Sequence, residues 1–234
     1  MKRVSIIQSA YIPWKGFFDL IGRCDVYIIY DSVGFSKGHW HNRNQIKRDR
    51  LDPWLTIPVK SAGKYRQSIE DVVVAKPWAE RHWTILREAY AKTEFFDVES
   101  PTIRQLFESL AAEPLLTRIN EVMLRWLARR LGLTTKIVRD RDFSFSGDRN
   151  DRLVDLCNAV GATTYLSGPS ARDYLDVTPF ARAGIAVEWM TYGPYPTYPQ
   201  PHGAFAHDVS ILDALFCLGP DAANFIKPMV PPVV

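Results

Sequence analysis

Cysteine is scarce in this chain: Cys24, Cys157 and Cys217 are widely spaced and form no CxxC pair. An odd, scattered set argues against a disulfide framework and against a thiolate zinc site, and it fits a reducing compartment. Long apolar runs are missing as well, since none approaches the roughly 18 to 20 residues that a bilayer crossing needs. The opening MKRVSIIQSAYIPWKG has too short an apolar run to act as a secretion signal, so a soluble, cytoplasmic protein without membrane partners is expected. Charge of one sign is not in excess either. Lys and Arg number 29 against 26 Asp and Glu, a formal net charge of +3, which is too balanced to make nucleic acid the main partner. There is no internal repeat and no low-complexity linker.

What is present is apolar and aromatic. The 234 residues are 47% hydrophobic, enough for one sizeable core or two small ones. Seven Trp, ten Tyr and twelve Phe imply either a bulky core or a pocket lined with flat, partly polar rings. The densest basic stretch, with Lys37, Arg43, Lys47, Arg48 and Arg50, is a candidate site for an anionic ligand.

Periodicity predicts short buried strands at 4–7 and 25–30 with a brief helix at 17–22 between them, an abbreviated βαβ unit. Further strands are expected at 55–60 and 71–75, both rich in β-branched residues. From Pro77 the spacing becomes helical through His82, Ile85, Leu86, Ala89 and Tyr90. A second helix is expected to open with Ser100 as N-cap and Pro101 at its first position, and a third to run from Arg118, capped by Thr117, to a left-handed stop at Gly132. Strand character returns at 135–139, Asp148 caps a helix that Gly161 ends, and a strand follows at 163–166. A short helix from Thr178-Pro179, a strand at 185–190 and a last helix at 209–218, with Asp208 as a candidate cap, complete the chain before the proline-rich tail KPMVPPVV. This alternation argues for an α/β fold: a mainly parallel, Rossmann-like sheet flanked by helices, forming one domain over 1–234 with a helical insertion or lid at 77–133.

In an open parallel sheet, ligands sit beyond the carboxyl ends of the strands, where the following loops converge. The loop after the first strand carries Gln8, Ser9, Tyr11 and Trp14 and suits a pocket wall, but it holds neither a Walker lysine pattern nor G-x-G-x-x-G, so ordinary P-loop and dinucleotide sites are excluded there. The second loop begins at Asp31 and includes His39 and His41, which would face the same way if extended and could act as acid or base beside a carboxylate. No third metal ligand is fixed by spacing, so no metal site is assigned and no cofactor is expected. Asn42, Arg43 and Asn44 place two amides around a guanidinium, equipment for a carbonyl oxygen, a sugar hydroxyl or a diphosphate, although turns also favour asparagine. After the strand at 163–166, Ser167 and Gly168 form a turn able to cradle an anion near Arg172, with Tyr174 beyond; the pattern is not a G-x-S-x-G elbow. The long run with Tyr195, Tyr198, Gln200, His202 and His207 suits a lid or binding loop. Cys24 follows Arg23 but reads more simply as a buried thiol.

Four ordered blocks, QSAYIPWKGFFD, DSVGFSKGHWHNRNQIK, TTYLSGPSARDYLD and YPQPHGAF leading to SILDALF, resemble the WbqC-like family of bacterial proteins. The correspondence spans nearly the whole chain, and Asn42, Arg43, Asn44, Ser167, Gly168, Tyr174, Gln200, Ser210 and Asp213 fall on its motif positions. It departs at Ile7-Gln8-Ser9, where relatives often read His-Gln-Pro. The resemblance implies surface-polysaccharide or other specialised biosynthesis, and transferase work on amino groups by amide formation from an activated acyl or aminoacyl donor. The residues are compatible with an amine attacking a thioester, which needs a base, an oxyanion donor and a pocket rather than a protein nucleophile. In that allocation His39 or His41, oriented by Asp31, removes the proton and Asn42 or Asn44 donates to the oxyanion. Lys37, Arg43 and Lys47 meet the phosphates of a nucleotide sugar or carrier arm. Gln8, Tyr11, Trp14, Ser167, Gly168, Arg172, Tyr174, Tyr198, Gln200 and His207 line the substrate pocket. The acceptor would be a small amine such as an amino sugar nucleotide, and the donor an acyl or peptidyl carrier protein or a coenzyme A thioester. The competing readings are a nucleotidyl- or adenylyl-transferring enzyme, although no His-x-Gly-His signature is present, and a non-catalytic protein that binds a nucleotide sugar or a carrier.

Overall fold

The computed structural model describes residues 1–49, 53–63 and 66–227; Arg50 of the basic stretch and the tail beyond Lys227 lie outside these. Five short strands, β1 (Arg3–Ile7), β2 (Val26–Ile29), β5 (Lys136–Arg139), β6 (Thr164–Ser167) and β7 (Ala186–Trp189), form one parallel sheet in the order β5-β2-β1-β6-β7. Counted along the sheet's own strands this is the order 3-2-1-4-5, in which the chain leaves β1 first toward one edge and later returns on its other side. Among the described residues seven helices flank it: α1 (Lys15–Gly22), α2 (Ala79–Tyr90), α3 (Phe96–Ser109), α4 (Leu116–Arg130), α5 (Arg149–Ala159), α6 (Thr178–Arg182) and α7 (Ile211–Leu218). The α/β class with a parallel sheet and flanking helices is therefore what the sequence folds into.

Strand alternation separates two apolar layers. Val4, Ile6, Val26 and Ile28 point to the face covered by Leu153 and Leu156 of α5 and Phe180 of α6. Tyr27 and Ile29 point to the opposite face, where α1, α7 and the helices α2 to α4 share a single larger cluster. The region between β2 and β5 thus packs on the same core as the first and last helices. Among the described residues no helix is long and apolar enough to cross a membrane.

Several local expectations are corrected. The strand expected at 55–60 shrinks to β4 (Trp54–Thr56), paired antiparallel with β3 (Arg43–Gln45) apart from the main sheet. Past Ile57 the chain turns to another partner, with Lys60 N donating to Val73 O and Ala75 N to Pro58 O. At 71–75 there is no strand: Ile69–Asp71 is a 3-10 turn, and Val73 and Val74 make isolated bridges to Leu115 and Val59. α3 opens one turn before Ser100, because Phe96 is drawn into the core against Trp83 and Phe216, and Pro101 lies inside the helix. Thr117 does not cap α4; Leu115 precedes the helix, and the Thr117 hydroxyl donates to Asp31 Oδ2 at 2.6 Å. Ser210, not Asp208, caps α7 through Leu212 N. Asp148 caps α5 as expected, in a reciprocal box with Asp151, and Gly132 and Gly161 adopt the left-handed backbone anticipated for their helix ends.

Candidate functional site

Two cavities adjoin at the carboxyl rim of the sheet, and both include Ile7 and Gln8 at the end of β1. The larger, about 600 Å³, lies where the chain path divides between β1 and β6, and is bounded by Gln8, Ser167, Gly168, Ser170 and the first turns of α5. This is the switch point at which open α/β sheets take their ligands. The smaller, about 310 Å³ and mostly apolar, is walled by Trp14, Phe17, His39, Trp40, His41 and Asn44.

The walls of the smaller cavity follow from the loop after β1. Ile12 is held at φ 37°, a left-handed conformation that a β-branched residue adopts only under constraint. That constraint is Asn44, whose Nδ2 donates to the carbonyls of Tyr11 and Ile12 at 3.0 and 2.9 Å, while its Oδ1 accepts from Gln45 N. The Trp14 indole folds back over Gly16, where any Cβ would meet the ring at 2.3 Å, and packs against Tyr192 and Tyr195.

His39 and His41 stack with centroids 6.4 Å apart, His39 exposed and His41 buried. His41 Nδ1 lies 2.9 Å from Ser9 O; a carbonyl only accepts, so Nδ1 carries the hydrogen and Nε2 keeps the lone pair. Burial lowers the His41 pKa below its ordinary value, against the favourable contacts with Ser9 and Asp31. Asp31 orients the ring at one remove. Its Oδ1 accepts from Ser9 N at 2.8 Å and its Oδ2 from Thr117, so Asp31 fixes the residue whose carbonyl fixes His41. Asn120 of α4 ties the same parts, donating to Ser9 Oγ and to His41 O. Among the described residues no group of three His, Cys, Asp or Glu comes together as a metal site.

Of the residues singled out in the sequence, Gln8, Ser9, Trp14, His39, His41, Asn44 and Asp208 reach the smaller cavity, and Ser167, Gly168 and Tyr174 with Gln8 reach the larger. The others do not, and their expected roles are corrected. Asn42 donates to Ile57 O and lines neither cavity, and Asn44 spends both amide hydrogens on backbone carbonyls, which leaves it no donor for an oxyanion. Tyr11 is fully buried, with its hydroxyl 2.7 Å from His82 Nδ1. Arg43 lies 4.1 Å above the Trp54 ring, and Arg172 5.6 Å above Trp189. Lys47 donates to Ala204 O, and Lys37 and His207 are exposed outside both cavities. Tyr198 and Gln200 both donate to Asp213 Oδ1, at 2.6 and 2.8 Å, fastening the loop before α7 to the core. The thiol of Cys24 is buried and donates to Leu20 O, and burial pushes its pKa up to about 12, which leaves it unreactive.

Three cations went unread. Arg149 and Arg152 line the larger cavity, and Lys15, only 2% exposed, sits with Nζ 5.0 to 5.5 Å from the ring centres of Phe205, Tyr198 and Tyr195. A common signal was available: all three lie in the first turn or just beyond it at a helix start, where the helix dipole disfavours positive charge.

No solved structure gives a significant match to this chain. A relative among curated proteins is the uncharacterized protein Rv1507c of Mycobacterium tuberculosis (strain ATCC 25618 / H37Rv), 36% identical over 228 residues that cover 97% of this chain and 98% of the relative. The WbqC-like protein family matches residues 8–225, from the Gln8 shared by the two cavities to the end of the last helical turn, and the chain belongs to that family.

Proposed function

We propose that this protein is a transferase of surface-polysaccharide or specialised-metabolite biosynthesis, acting on cytoplasmic precursors, that forms an amide by moving an acyl or aminoacyl group from a thioester to an amine. One arrangement supports this most: a cationic cavity and an apolar cavity meet at Gln8, and the apolar one contains His41 with Nε2 as its proton-accepting nitrogen. The apolar cavity suits the acyl group, and the cationic one suits the phosphates of a nucleotide sugar, a carrier arm or coenzyme A. The amine attacks the thioester carbonyl carbon, the C–N bond forms, and the carbonyl electron pair moves onto oxygen. His41 Nε2 takes the proton released by the amine. Gln8, whose side chain makes no hydrogen bond to another described residue, supplies the donor to the oxyanion in place of Asn42 and Asn44. Collapse of the intermediate breaks the C–S bond, and the leaving thiolate receives that proton.

The test is mass spectrometry of the purified protein incubated with acyl and aminoacyl thioesters and amino sugar nucleotides. An acceptor heavier by the acyl residue, with one thiol released per amide, is expected without any nucleoside triphosphate. A second reading, nucleotidyl transfer, is favoured by the 3-2-1-4-5 strand order together with the cationic cavity at its switch point. Product formation that requires a nucleoside triphosphate and releases pyrophosphate would replace the first reading with the second.

A further inference from the structure

The larger cavity carries positive charge that no ion pair among the described residues neutralises, although Arg152 Nε also donates to Gly147 O at 3.1 Å. Arg149 and Arg152 stand at the first and fourth positions of α5, where the helix dipole opposes them. Among the described residues neither is in an ion pair, whereas Arg3, Arg23, Arg104, Arg118, Arg125, Arg130, Arg139 and Arg141 each pair with a carboxylate. The one carboxylate on the cavity wall, Asp148, spends an oxygen on the amides of Asn150 and Asp151. Two guanidinium groups, the hydroxyls of Ser167 and Ser170 and the open backbone at Gly168 therefore border a space large enough for a nucleotide. Flat surfaces complete it. The ring of Tyr174, 52% exposed, lies 4.0 Å beneath the Arg149 guanidinium, and Tyr165 is held rigid by stacking on Phe180 at 5.2 Å.

We propose that this cavity binds a nucleoside diphosphate, with the diphosphate on Arg149 and Arg152 and the base against Tyr174. The group attached to the distal phosphate then points past Gln8 toward His41. This rests on the transferase reading only for that direction; the binding itself does not depend on it. A nucleoside diphosphate is common to sugar nucleotides and to coenzyme A, and the ligands tested separate the two sources.

The experiment is isothermal titration calorimetry of the full chain with UDP, UMP, uridine, ADP, a UDP-amino sugar and coenzyme A, at low and moderate salt. Saturable binding of a diphosphate is expected, at least tenfold tighter than the matching monophosphate, weakening as salt rises, and at least tenfold weaker in R149A and in R152A. Tight binding of the UDP-amino sugar identifies the sugar-nucleotide source, and tight binding of coenzyme A the other. Gly168→Leu is the second variant: a Cβ there meets nothing within 4 Å and the backbone, φ −65° and ψ 152°, suits any residue, so the chain folds while the cavity is filled. It should abolish binding with an unchanged circular dichroism spectrum. Absence of binding for every diphosphate, binding of UDP no tighter than uridine, or folded R149A, R152A and G168L proteins that bind like the wild type would each overturn the proposal. Diphosphate binding without acyl transfer would leave it standing and remove the transferase reading; acyl transfer without diphosphate binding would do the reverse.

Discussion

The Nδ1 atom of His41 lies 2.9 Å from the carbonyl oxygen of Ser9, and that contact decides which ring nitrogen accepts a proton. Burial keeps the ring neutral below the ordinary histidine range, so Nε2 is available as a base at pH 7 and for some distance below it. His41→Ala should lower kcat for amide formation by about 10²- to 10⁴-fold, the usual contribution of a general base. The acid limb of the wild-type profile should fall below pH 6.5 and vanish in the variant. A kcat within threefold of wild type would remove His41 from the mechanism.

Asn44 should prove to be a clamp. Removing its amide leaves the Tyr11 and Ile12 carbonyls without that donor and releases the left-handed turn at Ile12. Asn44→Ala should cost about 2 to 6 kcal/mol in urea unfolding, at about 1 to 3 kcal/mol for each of the two carbonyls left unsatisfied. If Asn44 instead served the oxyanion, the variant would unfold at the wild-type midpoint and lose only kcat.

These two residues mark how far the sequence was legible. The two layers could be read because Val4 to Ile7 and Val26 to Ile29 alternate or run apolar at strand length, and because Asp148, Gly132 and Gly161 have local, short-range reasons to sit at helix ends. Asn44 could not be read. An asparagine in a turn, one on an oxyanion and one clamping a distant carbonyl look alike in sequence, and the partner here lies 32 and 33 residues away. Thr117 misled for the same reason, since a hydroxyl beside a helix start suits a cap until Asp31, 86 residues earlier, claims it. Gln8, Trp14 and Ser167 were recoverable because they follow strands, and the rule that places ligands there depends on topology alone. Arg149 and Arg152 were missed because Asp148 was given only its capping role.

His82 makes the fold acid-sensitive. Its Nε2–H donates to Thr56 O at 3.1 Å and its Nδ1 accepts from the Tyr11 hydroxyl at 2.7 Å, while burial lowers its pKa to about 4. The unfolded chain protonates this ring near pH 6.5 and the folded one only near pH 4. Between those values the unfolded state binds more protons, so stability falls as pH falls, by up to about 3 kcal/mol. His82→Gln should be less stable at pH 7 yet lose less on acidification. The difference in unfolding free energy between the two proteins, followed from pH 7 to 4.5, cancels the shared titration of Asp31 and Asp213. A difference that stays constant over that range would refute the assignment.

Lys15 should destabilise the fold at neutral pH. Its ammonium is buried among Phe205, Tyr198 and Tyr195, with no hydrogen-bond acceptor among the described residues, and desolvation lowers its pKa to about 8 despite the attraction of Asp213. The cation–π contacts and the Asp213 carboxylate recover part of that cost, but the direction of the shift shows that desolvation wins. Because the folded pKa lies below the unfolded value of about 10.5, the penalty is complete below pH 8 and is relieved as pH rises from 8 to 10.5. Lys15→Met keeps the stem and removes the charge, so it should raise Tm at pH 7 by about 2 to 4 °C for each kcal/mol recovered in a chain of this size. Thermal unfolding at pH 7 and pH 9.5 checks it, with the gain shrinking at the higher pH. A lower Tm for the variant at pH 7 would mean that the three rings and Asp213 together hold the ammonium more strongly than water does.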